Sequence, residues 1–127
     1  MSSTEPFLSL ADEELETARL LLNNQRYRAA VSRAYYAMYY ATQALLVSKN
    51  VSSRTHKGII QQFSQHFVKS GELPTQMVTD LKRAYDLRQL SDYEAAVVLT
   101  LEQANTALGA AANFVLQAQS YLDGLSP

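Results

Sequence analysis

The chain contains no cysteine. This absence excludes disulfides, thiolate nucleophiles, iron–sulfur clusters and cysteine-ligated zinc, and it fits the reducing cytoplasm in which we expect the protein to work. Only four glycines and three prolines are present, which excludes collagen-like and Pro/Gly-rich disordered classes. No apolar run approaches 18 residues, so no membrane span is expected. Residues 1–5 also lack the basic region and apolar stretch of a signal peptide.

The charges of the chain are few and nearly balanced. Eleven basic side chains face twelve acidic ones, giving a net charge of −1, so an attraction of the whole surface to nucleic acid is not expected. A local basic patch remains possible. The 127 residues suffice for one domain over 1–127 with a real core, and their Ala- and Leu-rich composition favours helices over sheet.

Helical periodicity and capping residues divide the chain into five predicted helices. Their expected bounds are about 10–23, 25–48, 56–69, 74–90 and 101–123. Ser9, Thr55 and Thr100 are the expected N-caps, the last with a capping box, and Gly71 and Gly124 end the third and fifth helices. Residues 91–99 fit either a covered connection or an early turn of the last helix. The expected fold is an all-α, antiparallel up-and-down bundle of four to five helices.

If the five helices strictly alternate in direction, particular polar residues are expected at the same end of the bundle. The end at which the first helix begins is called the top. The top is then expected to collect one set of polar side chains: Lys49, Arg54, His56, Lys57, Arg88, Asp92 and Tyr93. The opposite end is expected to hold Arg26, Arg28 and Lys69.

Arg88 is the most informative of these residues. It falls on the inward side of an otherwise apolar helix face, where long cations are seldom buried. Asp92 lies four residues later and can pair with it, with Tyr93 beside them. The alternatives are a helix-terminal ion pair and a guanidinium that its carboxylate aims at a phosphate. The second is favoured, with Arg88, Asp92, Tyr93, Lys57, His56 and Arg54 as ligand-binding candidates.

Tyrosine is concentrated in the second predicted helix, which is apolar nearly all round. Such a helix is either central in the core or covered at an oligomer interface. Tyrosines can stack on bases, but core or dimer packing is the more ordinary role. The residues expected at an interface are Arg33, Tyr35, Tyr36, Tyr39 and Tyr40.

Candidates for acid–base chemistry are scarce. The two histidines are His56, next to Lys57, and His66, which falls beside core phenylalanines. The chain has no Glu-x-x-His pair, no glycine-rich phosphate loop and no Gly-x-Ser-x-Gly elbow. Neither a metal nor a cofactor is expected.

Residues 33–46, RAYYAMYYATQALL, resemble the signature helix of HEPN-domain proteins of the small bacterial and archaeal branch. The segments THKG at 55–58, FxxxFVKxG at 63–71 and LRxxSDY at 87–93 resemble the same branch, as do Ala104 and Phe114. The resemblance implies a helical bundle, commonly a homodimer, often encoded beside a minimal nucleotidyltransferase in a two-component or toxin–antitoxin pair.

Many HEPN proteins cut RNA without metal through an Arg followed, after four to six residues, by a His. Arg88 matches that Arg, but residues 89–95 contain no His. Tyr93, with an ordinary pKa near 10, is a poor base, and Asp92 beside Arg88 is expected to stay ionised. Catalytic candidates are therefore limited to Arg88, Asp92, Tyr93 and His56, the last only if it reaches Arg88.

The sequence favours a non-catalytic binding module. It would be a homodimer that engages a nucleotidyltransferase, or a nucleotide or RNA phosphate, through a cationic cleft. One alternative is a metal-independent ribonuclease toxin with an atypical site, and another is a purely structural oligomer.

Overall fold

A computed structural model describes residues 3–125. The predicted domain of 1–127 therefore includes four residues, 1, 2, 126 and 127, that lie outside the described residues. The described chain is helical, in the order α1 (Glu5–Asn23), α2 (Tyr27–Ser48), α3 (His56–Phe63), a π-helical turn (Ser64–Val68), α4 (Thr75–Tyr93) and α5 (Leu101–Asp123). The prediction of an all-α bundle is confirmed. No helix within 3–125 is long and apolar enough to cross a bilayer.

Helix α2 is the centre of the bundle. Eleven of its residues are buried, including Tyr35, Met38 and Leu45, and α1, α3, α4 and α5 all pack against it. Its apolar circumference thus serves the core, where three phenylalanines from the other helices fill the space beside it: Phe63, Phe67 and Phe114.

Several predicted helix ends are confirmed by their backbone geometry. The Thr55 hydroxyl accepts a hydrogen bond from the Gly58 N–H, and Thr100 forms the expected capping box with Gln103. Gly71, at φ +82°, has the left-handed conformation that glycine adopts without strain.

Other predicted ends are wrong. Helix α1 begins at Glu5 rather than after Ser9, because Pro6 fits its first turn and Phe7 and Leu8 pack on the core. Helix α4 continues three residues past Leu90 to Tyr93. The third helix does end near residue 69 as expected, but its last turn is a π turn, in which the Lys69 N–H bonds to the Ser64 carbonyl.

The direction of α3 departs from strict alternation. Asn50 has a positive φ of 58°, and the Val51 N–H bonds back to the Leu46 carbonyl, so the chain reverses at the end of α2. As a result His56 lies against the middle of α2, and the π turn lies at its end, where Lys49 donates to the His66 carbonyl. Helix α3 therefore runs in the same direction as α2.

This reversal inverts the expected positions of α4 and α5. Helix α4 starts at the top and ends near the start of α2, where the Arg28 guanidinium donates to the carbonyls of Glu94, Ala95 and Val97. The segment before α5 is thus a connection rather than an early turn of that helix, but it is mostly exposed: Leu99 is buried, whereas Val98 is 84% exposed. The prediction that Arg28 lies far from the end of α4 is wrong. So is the placement of Lys49 near Arg88, because Lys49 pairs with Glu72 at 2.7 Å.

Candidate functional site

The exposed edge of the tyrosine stretch in α2 meets the start of α3 and the last turns of α4 at mid-height in the bundle. Tyr35 and Tyr36 come from α2, His56 from α3, and Tyr85 and Arg88 from α4. We call these five residues the Arg88 cluster. The reversal after α2 brings His56 down to this level, so His56 and Arg88 converge although the expected topology placed them at the top.

Arg88 is held mainly by aromatic rings. Its side chain is only 15% exposed, and its Cζ lies 5.6 Å from the ring centre of Tyr35 and 5.1 Å from that of Tyr36. Both distances are within the range of cation–π attraction. The guanidinium is therefore positioned over α2 by contacts that use none of its N–H donors.

The pairing of Arg88 with Asp92 is electrostatic rather than a directed hydrogen bond. The Nε atom lies 3.2 Å from Asp92 Oδ2, one helical turn away, which confirms the predicted pair. The same buried Nε nonetheless lacks hydrogen-bond geometry to any acceptor in the described chain. The short distance indicates Coulomb attraction between the two side chains. The Nε–H group does not meet the geometry of a hydrogen bond to Asp92, so this donor is unsatisfied. The guanidinium thus keeps donor capacity while its charge is only partly neutralised.

A short hydrogen bond of 2.6 Å joins the Tyr35 hydroxyl to His56 Nδ1. Burial of Tyr35, which is 1% exposed, raises the pKa of its hydroxyl against the opposing charge of Arg88, so the phenol keeps its proton. Burial, followed by the charge of Arg88, lowers the pKa of His56 from its ordinary value of 6.5. The two directions agree: Tyr35 donates to a neutral imidazole, and the imidazole proton is assigned to Nε2.

Aromatic rings surround this imidazole. The ring centre of His56 lies 4.8 Å from that of Tyr39 and 5.9 Å from that of Tyr85, the latter stacked at 30°. The Tyr85 hydroxyl accepts a hydrogen bond from Gln89 at 3.0 Å. Neither Tyr85 nor Gln89 was predicted from the sequence to belong to the site. Nothing in the local pattern could reveal that α3 would bring His56 to them.

The remaining predicted ligand-binding residues lie outside this contact set. Tyr93 ends α4 with 75% of its surface exposed. Arg54 is exposed in the bend before α3, and Lys57 points into a groove between α3 and α4. The structure therefore brings together His56, Arg88 and Asp92, and leaves Arg54, Lys57 and Tyr93 apart from them.

The predicted interface residues divide in the same way. Tyr35 is buried by its own chain and has almost no surface left for a partner, so its assignment to an interface is wrong. Tyr36, Tyr39 and Tyr40 are half-buried in the single chain and keep exposed surface. Arg33 pairs with Glu14 at 3.0 Å and lies 4.8 Å from the ring centre of Tyr36.

The Arg88 cluster lies where α2, α3 and α4 meet, with Tyr36, His56 and Tyr85 partly exposed. A groove of about 620 Å³ lies elsewhere, between α4 and α5, and is mostly apolar. No residue of the Arg88 cluster lines this groove. Within 3–125, no three His, Asp or Glu side chains gather as metal ligands would. The chemistry available at the cluster is thus cationic and aromatic, with one neutral imidazole.

Known proteins are similar to this chain in sequence or in fold. "Putative toxin MJ0142" of Methanocaldococcus jannaschii is 33% identical over 93% of this chain and 80% of its own length. A UPF0332 protein of Thermotoga maritima is 33% identical over 91% of this chain and 82% of its own. The crystal structure of TT1696 from Thermus thermophilus superposes with a TM-score of 0.80 at 19% identity, covering 95% of this chain and 99% of the other, which shows a shared fold. The profile of the HEPN domain matches residues 4–120, and the chain therefore belongs to the HEPN family.

Proposed function

We propose that this HEPN protein is a non-catalytic module that binds a phosphate group of a nucleotide or RNA at the Arg88 cluster. The observation that carries the proposal is the guanidinium of Arg88, held by two tyrosine rings with its N–H donors unused by the described chain. Preorganised guanidinium donors suit phosphate oxygens, and the partly exposed ring of Tyr36 beside them suits a base. No His follows Arg88 within seven residues, which favours binding over catalysis.

A homodimer is part of the proposal. The half-buried rings of Tyr36, Tyr39 and Tyr40 lie together on α2, with centroid separations of 5.8, 6.4 and 5.4 Å between pairs. Tyrosine is enriched at protein interfaces because its ring offers apolar area and its hydroxyl a hydrogen bond. A second protomer on this edge would turn the partly exposed surface beside Arg88 into a cleft.

A partner and a cellular setting complete it. Resemblance to the HEPN branch supports a minimal nucleotidyltransferase as the partner, in a toxin–antitoxin pair in the cytoplasm. The toxin wording in the name of the Methanocaldococcus relative points the same way. Co-expression of this chain with a minimal nucleotidyltransferase encoded beside its gene should give a complex that survives purification, and the absence of such a gene or failure to co-purify would count against the partner.

Binding is tested by titrating the purified protein with adenosine and uridine monophosphates. Arg88→Gln should weaken binding at least tenfold, because the charge that faces the phosphate is removed. Arg83→Gln is the matched control, since Arg83 lies on the same helix but is 69% exposed and only distantly paired with Asp80. Equal binding by wild type and Arg88→Gln would refute the role of Arg88.

The dimer has a separate test. Wild type should have the mass of a dimer by light scattering, and Tyr36→Ala combined with Tyr40→Ala should shift it toward monomer. Both rings are half-buried in the single chain, so the substitutions remove mainly interface area. A wild-type monomer at high concentration would refute the dimer.

One observation favours a ribonuclease as the second candidate. His56 lies beside Arg88 in space, although no His follows it in sequence, and its depressed pKa leaves a neutral imidazole at pH 7. If the imidazole changes tautomer, so that its Nδ1–H donates to the Tyr35 oxygen, the freed Nε2 could take the proton from a ribose hydroxyl while Arg88 holds the phosphate. Incubation of the purified protein with total RNA decides between the candidates. Cleavage abolished by both His56→Gln and Arg88→Ala supports the ribonuclease, and intact RNA removes it.

A further inference from the structure

A second feature of the surface is a basic groove between α3 and α4, with a volume of about 400 Å³. Lys57 comes from the first turn of α3, Lys69 follows the π turn, and Lys82 comes from the middle of α4. Polar side chains of α3 and the π turn lie between the lysines: Gln61, Ser64 and Gln65. We call this feature the lysine groove.

The charges of the lysine groove are poorly balanced. Asp86 is the one carboxylate among its lining residues, against three ammonium groups. Within the described chain, none of the three lysines is within ion-pairing distance of a carboxylate. A chain of net charge −1 therefore concentrates three of its eleven cations on one concave surface. Such a concentration attracts anions more strongly than the net charge suggests.

The spacing of the lysines suits a chain of phosphates rather than one phosphate. Lys57 and Lys69 are twelve residues apart, which corresponds to about 18 Å along a helix. Lys82 contributes from the opposite wall, between these two ends. This length separates the backbone positions of the lysines, and a polynucleotide backbone, with successive phosphates, can follow side chains placed along it.

Tyr85 connects the lysine groove to the Arg88 cluster. It lines the groove, and its ring stacks on His56 at 5.9 Å. A cationic groove that tracks a backbone, with aromatic rings at hand for bases, is the arrangement by which proteins hold single-stranded nucleic acid. An acidic peptide could use the same charges but would have no use for the stacked rings.

We propose that the lysine groove binds the backbone of a single-stranded RNA whose end occupies the Arg88 cluster. The proposal rests on the proposed function, since it extends the same ligand from the Arg88 cluster along α3. Lys69 and Lys82 thereby become RNA-contacting residues, and Lys57 acts in the groove rather than beside Arg88. Mononucleotides reach only the Arg88 cluster, and longer strands reach both.

The experiment compares a mononucleotide with a twelve-nucleotide single-stranded RNA in equilibrium titrations of three proteins. The groove variant carries Lys57→Gln, Lys69→Gln and Lys82→Gln. A control variant carries Arg19→Gln, Arg26→Gln and Arg83→Gln, which removes the same charge from exposed positions outside the groove. All six side chains are exposed, so both variants should fold, and circular dichroism with thermal melting checks this.

The expected result is selective. The groove variant should bind the RNA at least tenfold more weakly than the control variant does, with mononucleotide binding unchanged. A plot of log Kd against log salt concentration should have a slope about 2 smaller for the groove variant than for the control variant. Each phosphate contact on a single strand contributes roughly 0.7 to this slope, and the groove variant lacks three such contacts. Arg88→Gln should weaken the binding of both the mononucleotide and the RNA.

Each other outcome overturns a distinct statement. Equal RNA binding by the groove and control variants overturns the groove while leaving the Arg88 cluster intact, and so does a wild type that binds the mononucleotide but gains nothing from the longer strand. Binding of neither ligand by wild type overturns the proposed function itself. Equal affinity for a poly-glutamate peptide, lost in the groove variant, overturns RNA as the ligand in favour of an acidic protein.

Discussion

Replacement of Arg88 by methionine separates a functional residue from a structural one. The arginine contributes cation–π contacts with two rings, about 0.5–1 kcal/mol each at a partly exposed position, and a partly exposed pair with Asp92 worth about 0.2–1 kcal/mol. Against these, burial of Nε without a hydrogen bond costs about 1–3 kcal/mol. The favourable and unfavourable contributions are of similar size, so the guanidinium has little net effect on stability.

Methionine is unbranched and flexible enough to fill most of the space over Tyr35 and Tyr36. We therefore expect Arg88→Met to change the free energy of unfolding by less than about 1 kcal/mol, or about 4 °C in Tm, while nucleotide binding is lost. Urea unfolding followed by circular dichroism measures the first quantity, and a mononucleotide titration the second.

A loss of about 3 kcal/mol in Arg88→Met would refute this reasoning. It would show that Arg88 holds α4 on α2 and that its burial has a structural purpose. Asp92→Asn is the useful companion, because it removes the neighbouring charge without touching the packing against the two rings. It should change stability by no more than about 1 kcal/mol.

Three further predictions concern pH and packing. His56→Gln should make the free energy of unfolding depend less on pH below 6.5. Because the folded pKa of His56 is below its unfolded value of 6.5, the contribution of His56 to stability is full above pH 6.5. This contribution falls as the pH drops through the folded value, since the unfolded chain then binds more protons than the folded one. Denaturation at pH 5 to 8 measures the difference from wild type. Phe114→Ala should cost about 3–5 kcal/mol in urea unfolding, since the ring is fully buried 5.5 Å from that of Phe63, whereas Leu116→Ala, at a 61% exposed position, should cost less than about 0.5 kcal/mol. Gly71→Ala should lower the stability by about 1 kcal/mol because φ is +82°, and Gly109→Ala, inside α5 with open space around the added methyl, should raise it by about 0.5–1 kcal/mol.

Each of these predictions has a contrary outcome. If the stability of wild type relative to His56→Gln increased on acidification, the folded pKa of His56 would be raised rather than lowered. Similar losses for the two α5 substitutions would contradict the placement of the core side of that helix. Glycine substitutions with the same sign would contradict the backbone conformation at position 71.

Local sequence determined most of the helices and several of their ends. Thr55 and Thr100 carry hydroxyls that cap the first turn, and Gly71 adopts a positive φ, so these ends follow from single residues and their neighbours. The apolar circumference of α2 predicted either a central place or an oligomer interface, and the inward position of Arg88 on α4 predicted an unusual buried cation. Each of these inferences depends on contacts within a few residues along the chain.

Only the tertiary structure determined which residues of different helices contact each other. The reversal at Asn50 sets α3 parallel to α2, brings His56 beside Arg88 and Tyr85, and carries Lys49 to Glu72 instead. Helical periodicity specifies which face of a helix is buried, but it contains no information on the direction in which the chain leaves a loop. That direction follows from which apolar faces can be buried together. For this reason the residues of the Arg88 cluster were largely predictable one by one, while their neighbours, and the groove that adjoins them, were not.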